Sequence, residues 1–203
     1  MLTSAIITCT LTTRLKDHAK MSAQAAFRTK VLFDTNQLLQ KAKSEEEIFS
    51  LTASQLMKLL NRSLIVYLEQ NGGLGAEQVF GVDGETAQNI FSAPEERDAA
   101  NWTFANKKRS GAGTDSYPDA KGLYLALRTG GGVFGVIGID LSEKPLDAFE
   151  NSVLLSILGE GALAIENRRN ALEKEQATVQ AKNEELRACL LYTSPSPRDR
   201  QKS

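Results

Sequence analysis

The chain has 203 residues, of which 41% are hydrophobic and 24% charged, with a net charge of −1. That balance suits one globular domain with helical extensions and offers no electrostatic basis for nucleic-acid binding as the main task. The two cysteines, Cys9 and Cys189, exclude a disulfide framework and a cysteine metal site, and the lone His18 has no second histidine for a metal pair or a relay.

Residues 1–12 are apolar or weakly polar and uncharged, and Arg14, Lys16 and Lys20 follow at once. An apolar run with basic residues just behind it reads as the last turns of a transmembrane helix emerging into the cytoplasm. The alternative is the frayed first helix of a soluble protein, since a full span needs about twenty residues. From Leu15 to Lys43 no Gly or Pro occurs, and Ala25, Val31, Leu32, Leu38 and Leu39 recur at helical spacing. Ser44-Glu45-Glu46-Glu47 is a capping box. It opens a second helix with Ile48, Leu51, Leu56, Leu59 and Leu60 on its apolar face.

The β-branched run at residues 63–69 predicts a buried strand. Asn71-Gly72-Gly73 predicts a hairpin turn, and residues 77–80 a short return strand. A third helix opens at Ser92-Ala93-Pro94, with Pro94 in the first turn, and holds Ala99, Trp102 and Phe104. Residues 111–118 form a loop. Strands at 122–128 and 133–139 follow, joined by the glycine-rich hairpin at 129–132. A long helix starts near Pro145 or Asp147 and runs to Ala188. The expected fold class is α+β, a mainly antiparallel sheet with helices packed on one face.

Gly130, Gly132 and Gly135 fit G-x-G-x-x-G in letters only. A dinucleotide fingerprint must open a helix, and these lead into a strand. There is no P-loop, Ser/His/Asp set or H-E-x-x-H, so no catalytic residue, metal or cofactor is expected.

Trp102-Thr103-Phe104, Gly111-Ala112-Gly113-Thr114-Asp115-Ser116-Tyr117-Pro118, the strand 122–127 and Phe134-Gly135-Val136-Ile137-Gly138 together resemble the GAF domain of KdpD-type sensor histidine kinases. In that family a Trp-x-Phe helix precedes a Gly-x-Gly/Ser-Thr-Asp-Thr loop that ends in Pro. The resemblance covers residues 11 to about 188. It implies a transmembrane remnant at 1–12, a juxtamembrane helix at 13–43, a GAF-like domain at 44–158 and a signalling helix at 159–188. Asn183-Glu184-Glu185-Leu186-Arg187 is similar to the segment just before the family's phospho-acceptor histidine box. From Cys189 on, the sequence reads like a translated sequencing adapter, with a natural Pro/Ser-rich tail as the alternative. His18 does not match the phospho-acceptor motif, so the chain is not expected to be an enzyme by itself. The family further implies a homodimer formed through the terminal helices, a response regulator as partner of the intact kinase, a potassium response, and a place on the cytoplasmic face of the bacterial inner membrane.

Leu158, Ile165, Leu172, Val179 and Leu186 recur every seven residues, the period of a supercoiled seam. Its companion positions are polar, so the seam is thin and suits a switchable two-state helix. The alternative is a solvated helix packed only by its first turns. Lys107, Lys108 and Arg109, with Gly113, Thr114 and Asp115, are the candidate ligand residues, combining positive charge with loop amides. The competing reading is a solvated cationic helix end. Trp102 and Phe104 are assigned to the core. Two other functions stay open: a free-standing GAF protein binding a small ligand, and a GAF enzyme of the methionine-sulfoxide-reductase kind. The second would need cysteines near its pocket.

Overall fold

The computed structural model describes residues 2–81 and 84–193, with side chains for 21–81 and 87–189. The chain divides into two units, Met1–Ile165 and Glu166–Ser203. The first holds α1 (Leu2–Leu39), α2 (Glu45–Leu60), β1 (Leu64–Gln70), β2 (Gly73–Phe80), α3 (Gly84–Phe91), α4 (Pro94–Asn106), β3 (Ser110–Gly111), β4 (Gly122–Arg128) and β5 (Val133–Asp140). The last helix, α5 (Ala148–Thr193), starts in the first unit and supplies the described part of the second.

The helix starts follow local chemistry. The Ser44 hydroxyl accepts from the Glu47 amide at 3.1 Å, and the Glu47 carboxylate accepts from the Lys43 amide at 2.7 Å. Asp147 and Glu150 repeat the device at α5: Asp147 Oδ1 accepts from the Glu150 amide at 2.7 Å, and Glu150 Oε2 from the Asp147 amide at 3.0 Å. At α4 the cap is Ala93, with no side-chain bond and Pro94 behind it. The β1–β2 turn places Asn71 at φ 53° and Gly72 at φ 82°, which matches the mirror-image hairpin turn.

All strand pairs are antiparallel, in the order β2-β1-β5-β4-β3. Alternation splits the strand residues between two cores. Leu64, Val66, Leu123, Leu125, Leu127, Ile137 and Ile139 face α1, α2 and the start of α5. Ile65, Tyr67, Tyr124 and Val136 face Phe91 of α3 with Ala99 and Ala100 of α4. The expectation of helices on one face therefore holds for α1, α2 and α5 but not for α3 and α4. The reason lies in the strands: β1 and β5 are apolar on both sides, so each face needs a cover.

Other boundaries moved as well. β2 starts at Gly73 rather than 77, and the third predicted helix is preceded by α3, an eight-residue helix whose Ala87, Ile90 and Phe91 pack inward. β3 (Ser110–Gly111) overlaps the start of the predicted loop. The first helix ends at Leu39 rather than 43, and α5 runs past 188 to Thr193. The reading of 1–12 as a membrane remnant, the side chain of His18 and the tail from 194 on lie outside the described side chains. α5 carries a stretch apolar enough by composition to cross a membrane. Its Val153, Leu154, Ile157, Leu158, Ala162 and Ile165 are nevertheless buried in the first core, as expected of a core helix.

Candidate functional site

The cationic stretch is held in place by the end of α4. Lys107 adopts φ 58° and its amide donates to the Thr103 carbonyl at 2.9 Å, closing the helix in a left-handed cap. The buried Ser110 hydroxyl donates to the Ala99 carbonyl at 2.7 Å and lies 2.7 Å from the Thr103 hydroxyl. These bonds pin β3 to α4 and leave residues 107–109 as a short exposed bridge between them.

The loop behind β3 is ordered by its own backbone. The Gly111 amide donates to Ser116 at 2.7 Å, the Thr114 amide to Gly111 at 3.0 Å and the Ala112 amide to Gly122 at 2.9 Å. The Thr114 hydroxyl lies 2.8 Å from both the Gly111 and Ser116 carbonyl oxygens. Three of the loop amides that the sequence offered for an anion are thus already engaged. The positive charge carries what remains of that idea.

All six candidates, Lys107, Lys108, Arg109, Gly113, Thr114 and Asp115, line one open cleft of about 810 Å³. Trp102, Ser116, Leu125, Ala126, Arg128 and Leu155 complete it. Trp102, assigned to the core from sequence, is half-buried and forms part of this wall, whereas Phe104 packs on the α3–α4 core. Arg128 was missed because only strand pairing brings the end of β4 beside the end of α4. Lys107, Lys108, Arg109 and Arg128 are exposed, and among the described residues none of them forms an ion pair. Four cations against Asp115 make the cleft positive.

A second polar cluster lies under α4. The carboxylate of Glu96, only 1% exposed, accepts from the Lys121 amide at 2.7 Å, the Gly122 amide at 3.1 Å and the Tyr124 hydroxyl at 2.7 Å. Burial first, and then the Glu96 charge, push the Tyr124 phenol far above its ordinary value. Nearby, the Tyr67 hydroxyl is buried without a hydrogen-bond partner, and the Arg97 guanidinium stands 4.7 Å from its ring centre. Burial pushes Tyr67 up to about 12, with Glu77 adding to the shift and Arg97 opposing it. Arg97 is itself anchored by the carbonyls of Leu74 and Gly75 at 2.8 and 3.1 Å. This cluster fastens α4 to β4 and to the β1–β2 hairpin. Among the described residues no group of acidic, cysteine or histidine side chains is arranged to hold a metal.

No family model matches the chain. It is 31% identical over 192 residues, 94% of its length, to the sensor protein KdpD of Clostridium acetobutylicum, of whose length it spans 21%. Among solved structures, the fold resembles the native GAF domain of the potassium sensor histidine kinase KdpD from Escherichia coli. That likeness has a TM-score of 0.51 and 17% identity, and it covers 72% of this chain and 98% of that one. It also resembles the GAF domain of a putative sensor histidine kinase from Pseudomonas syringae, with a TM-score of 0.53 and 19% identity over 78% of this chain and 97% of that one. Over 94% of its length the chain is therefore similar to part of a KdpD sensor protein, and its fold is that of a GAF domain.

Proposed function

We propose that the chain is the sensory and signal-relay module of such a kinase, working at the cytoplasmic face of a bacterial inner membrane. In the intact protein it passes an input, in a potassium response, toward domains that bind ATP, phosphorylate a histidine and hand the phosphoryl group to a response regulator. The chain itself carries no phosphoryl transfer and needs no cofactor, so incubation with ATP should leave it unphosphorylated.

The observation that supports relay is the double character of α5. Its Val153, Leu154, Ile157, Leu158, Ala162 and Ile165 belong to the domain core, whereas Leu172, Val179 and Leu186 are 39%, 56% and 56% exposed at seven-residue spacing. A helix that is core at one end and an unpartnered apolar stripe at the other can carry a rotation or register shift from domain to dimer seam. The cationic cleft is the proposed ligand site, for an anion.

The test is a chimera of the C. acetobutylicum sensor protein carrying residues 13–188 of this chain in place of its matching segment. It should keep ATP-dependent autophosphorylation. A seven-residue insertion after Asn170 preserves the heptad phase and should preserve output, whereas a four-residue insertion shifts the phase and should uncouple it. Equal output from both insertions would sink the relay reading and favour a free-standing ligand-binding module.

A further inference from the structure

β4 is paired along its length with β5, but on its outer side only Ser110 and Gly111 of β3 pair with Tyr124 and Leu123. The Ala112 amide reaches the Gly122 carbonyl at 2.9 Å, so Gly122 presents its backbone to that outer edge. In an antiparallel strand every second residue faces the same edge. Tyr124 and Ala126 therefore face it too, and Ala126 lines the cleft where β3 has already ended. Trp102 of α4 and Leu155 of α5 flank this edge, so a segment laid along it finds backbone partners and apolar contact together.

We propose that the open edge of β4 takes up an extended acidic peptide segment as an added strand. This deepens the anion-cleft reading above and rests on it. An unpaired edge is a template for another strand. In such complexes main-chain hydrogen bonds supply affinity and the flanking side chains supply selectivity. The charge decides the occupant. Lys107, Lys108, Arg109 and Arg128 outnumber Asp115 and have no ion pair among the described residues. A second copy of the same edge would set these cations against one another, since like charges on paired strands repel. A segment rich in Glu or Asp with β-branched residues between them satisfies both the backbone and the rim.

Trp102 is the only tryptophan in the chain, so its fluorescence reports occupancy of the cleft. The full chain is titrated with a capped hexapeptide of alternating Glu and Val. Two controls accompany it: the same peptide N-methylated at alternate residues, which keeps the charge and removes donors, and inorganic phosphate. A saturable change is expected with the first peptide. The N-methylated form should bind about tenfold more weakly, for one or two lost hydrogen bonds. The exposed double substitution Lys108→Glu with Arg128→Glu should cost about tenfold or more. The Ala126 amide resonance should move in a ¹⁵N-labelled sample. Equal binding of the N-methylated peptide, or no saturable peptide signal, overturns the proposal. If phosphate perturbs Trp102 while the peptide does not, the strand idea fails and the anion cleft stands. If neither does, both fall.

Discussion

Glu96 shows how one buried side chain organises this fold. Its carboxylate answers three donors at the point where α4 crosses the start of β4. Glu96→Ala would leave the buried Gly122 amide and Tyr124 phenol, and the part-buried Lys121 amide, without this partner. Unpaired buried donors cost roughly 1–3 kcal/mol each before relaxation, so a loss of about 3 kcal/mol or more is expected in urea unfolding. Gly135 is constrained sterically: an added Cβ would meet the Tyr67 carbonyl oxygen and come within 2.8 Å of the Phe49 ring. Gly135→Ala should therefore lower the melting temperature. The tyrosines set an alkaline limit. The folded Tyr67 phenol titrates near 12 and the unfolded one near 10, so above pH ~10 the unfolded chain releases its proton first. Stability should be full below pH ~10 and fall as pH rises toward 12. Tyr67→Phe should flatten that slope at little cost at neutral pH, because its hydroxyl has no partner to lose.

At the scale of elements, the Ser44–Glu47 capping box was readable because it acts within one helical turn, whereas at α5 only a start near Pro145 or Asp147 was read and the reciprocal Asp147–Glu150 bonds came from the structure. The central strands were readable from β-branched runs and turn residues. α3 and β3 were not. α3 packs its Phe91 on a sheet face that only strand pairing creates, and β3 is two residues pinned by Ser110 to α4. The heptad in α5 was legible as a period but not as a role. Leu158 and Ile165 fill the domain core, and only Leu172, Val179 and Leu186 remain exposed for a seam. If those three pack between copies, Leu172→Lys, Val179→Lys and Leu186→Lys together should weaken self-association in sedimentation by at least about a hundredfold. Each buried Leu or Val contributes roughly 1.5–3 kcal/mol. An unchanged association constant would place the dimer contact elsewhere.

At the scale of the whole molecule, the two units predict unequal resistance to proteolysis. From residue 171 to 189 every described side chain on α5 is exposed. A single helix without tertiary cover opens readily. Trypsin should cut after Lys174 and Lys182 before Arg128, and those cuts should slow as protein concentration rises if a partner copy covers the stripe. The GAF fold and the likeness to KdpD-type kinases were legible because the Trp102–Phe104 helix and the 111–118 loop are compact, nearly contiguous signatures. So was the cationic stretch 107–109. The sequence by itself determined what depends on near neighbours: the caps, the hairpin turns, the strand periods and the family likeness. Only the tertiary structure decided that helices cover both faces of the sheet, that Glu96 closes α4 onto β4, and that Arg128, Leu155 and the bare edge of β4 share a cleft with Lys107–Arg109. Those residues meet across strand pairings and helix crossings, and no local pattern in the chain encodes which strand stands at the edge.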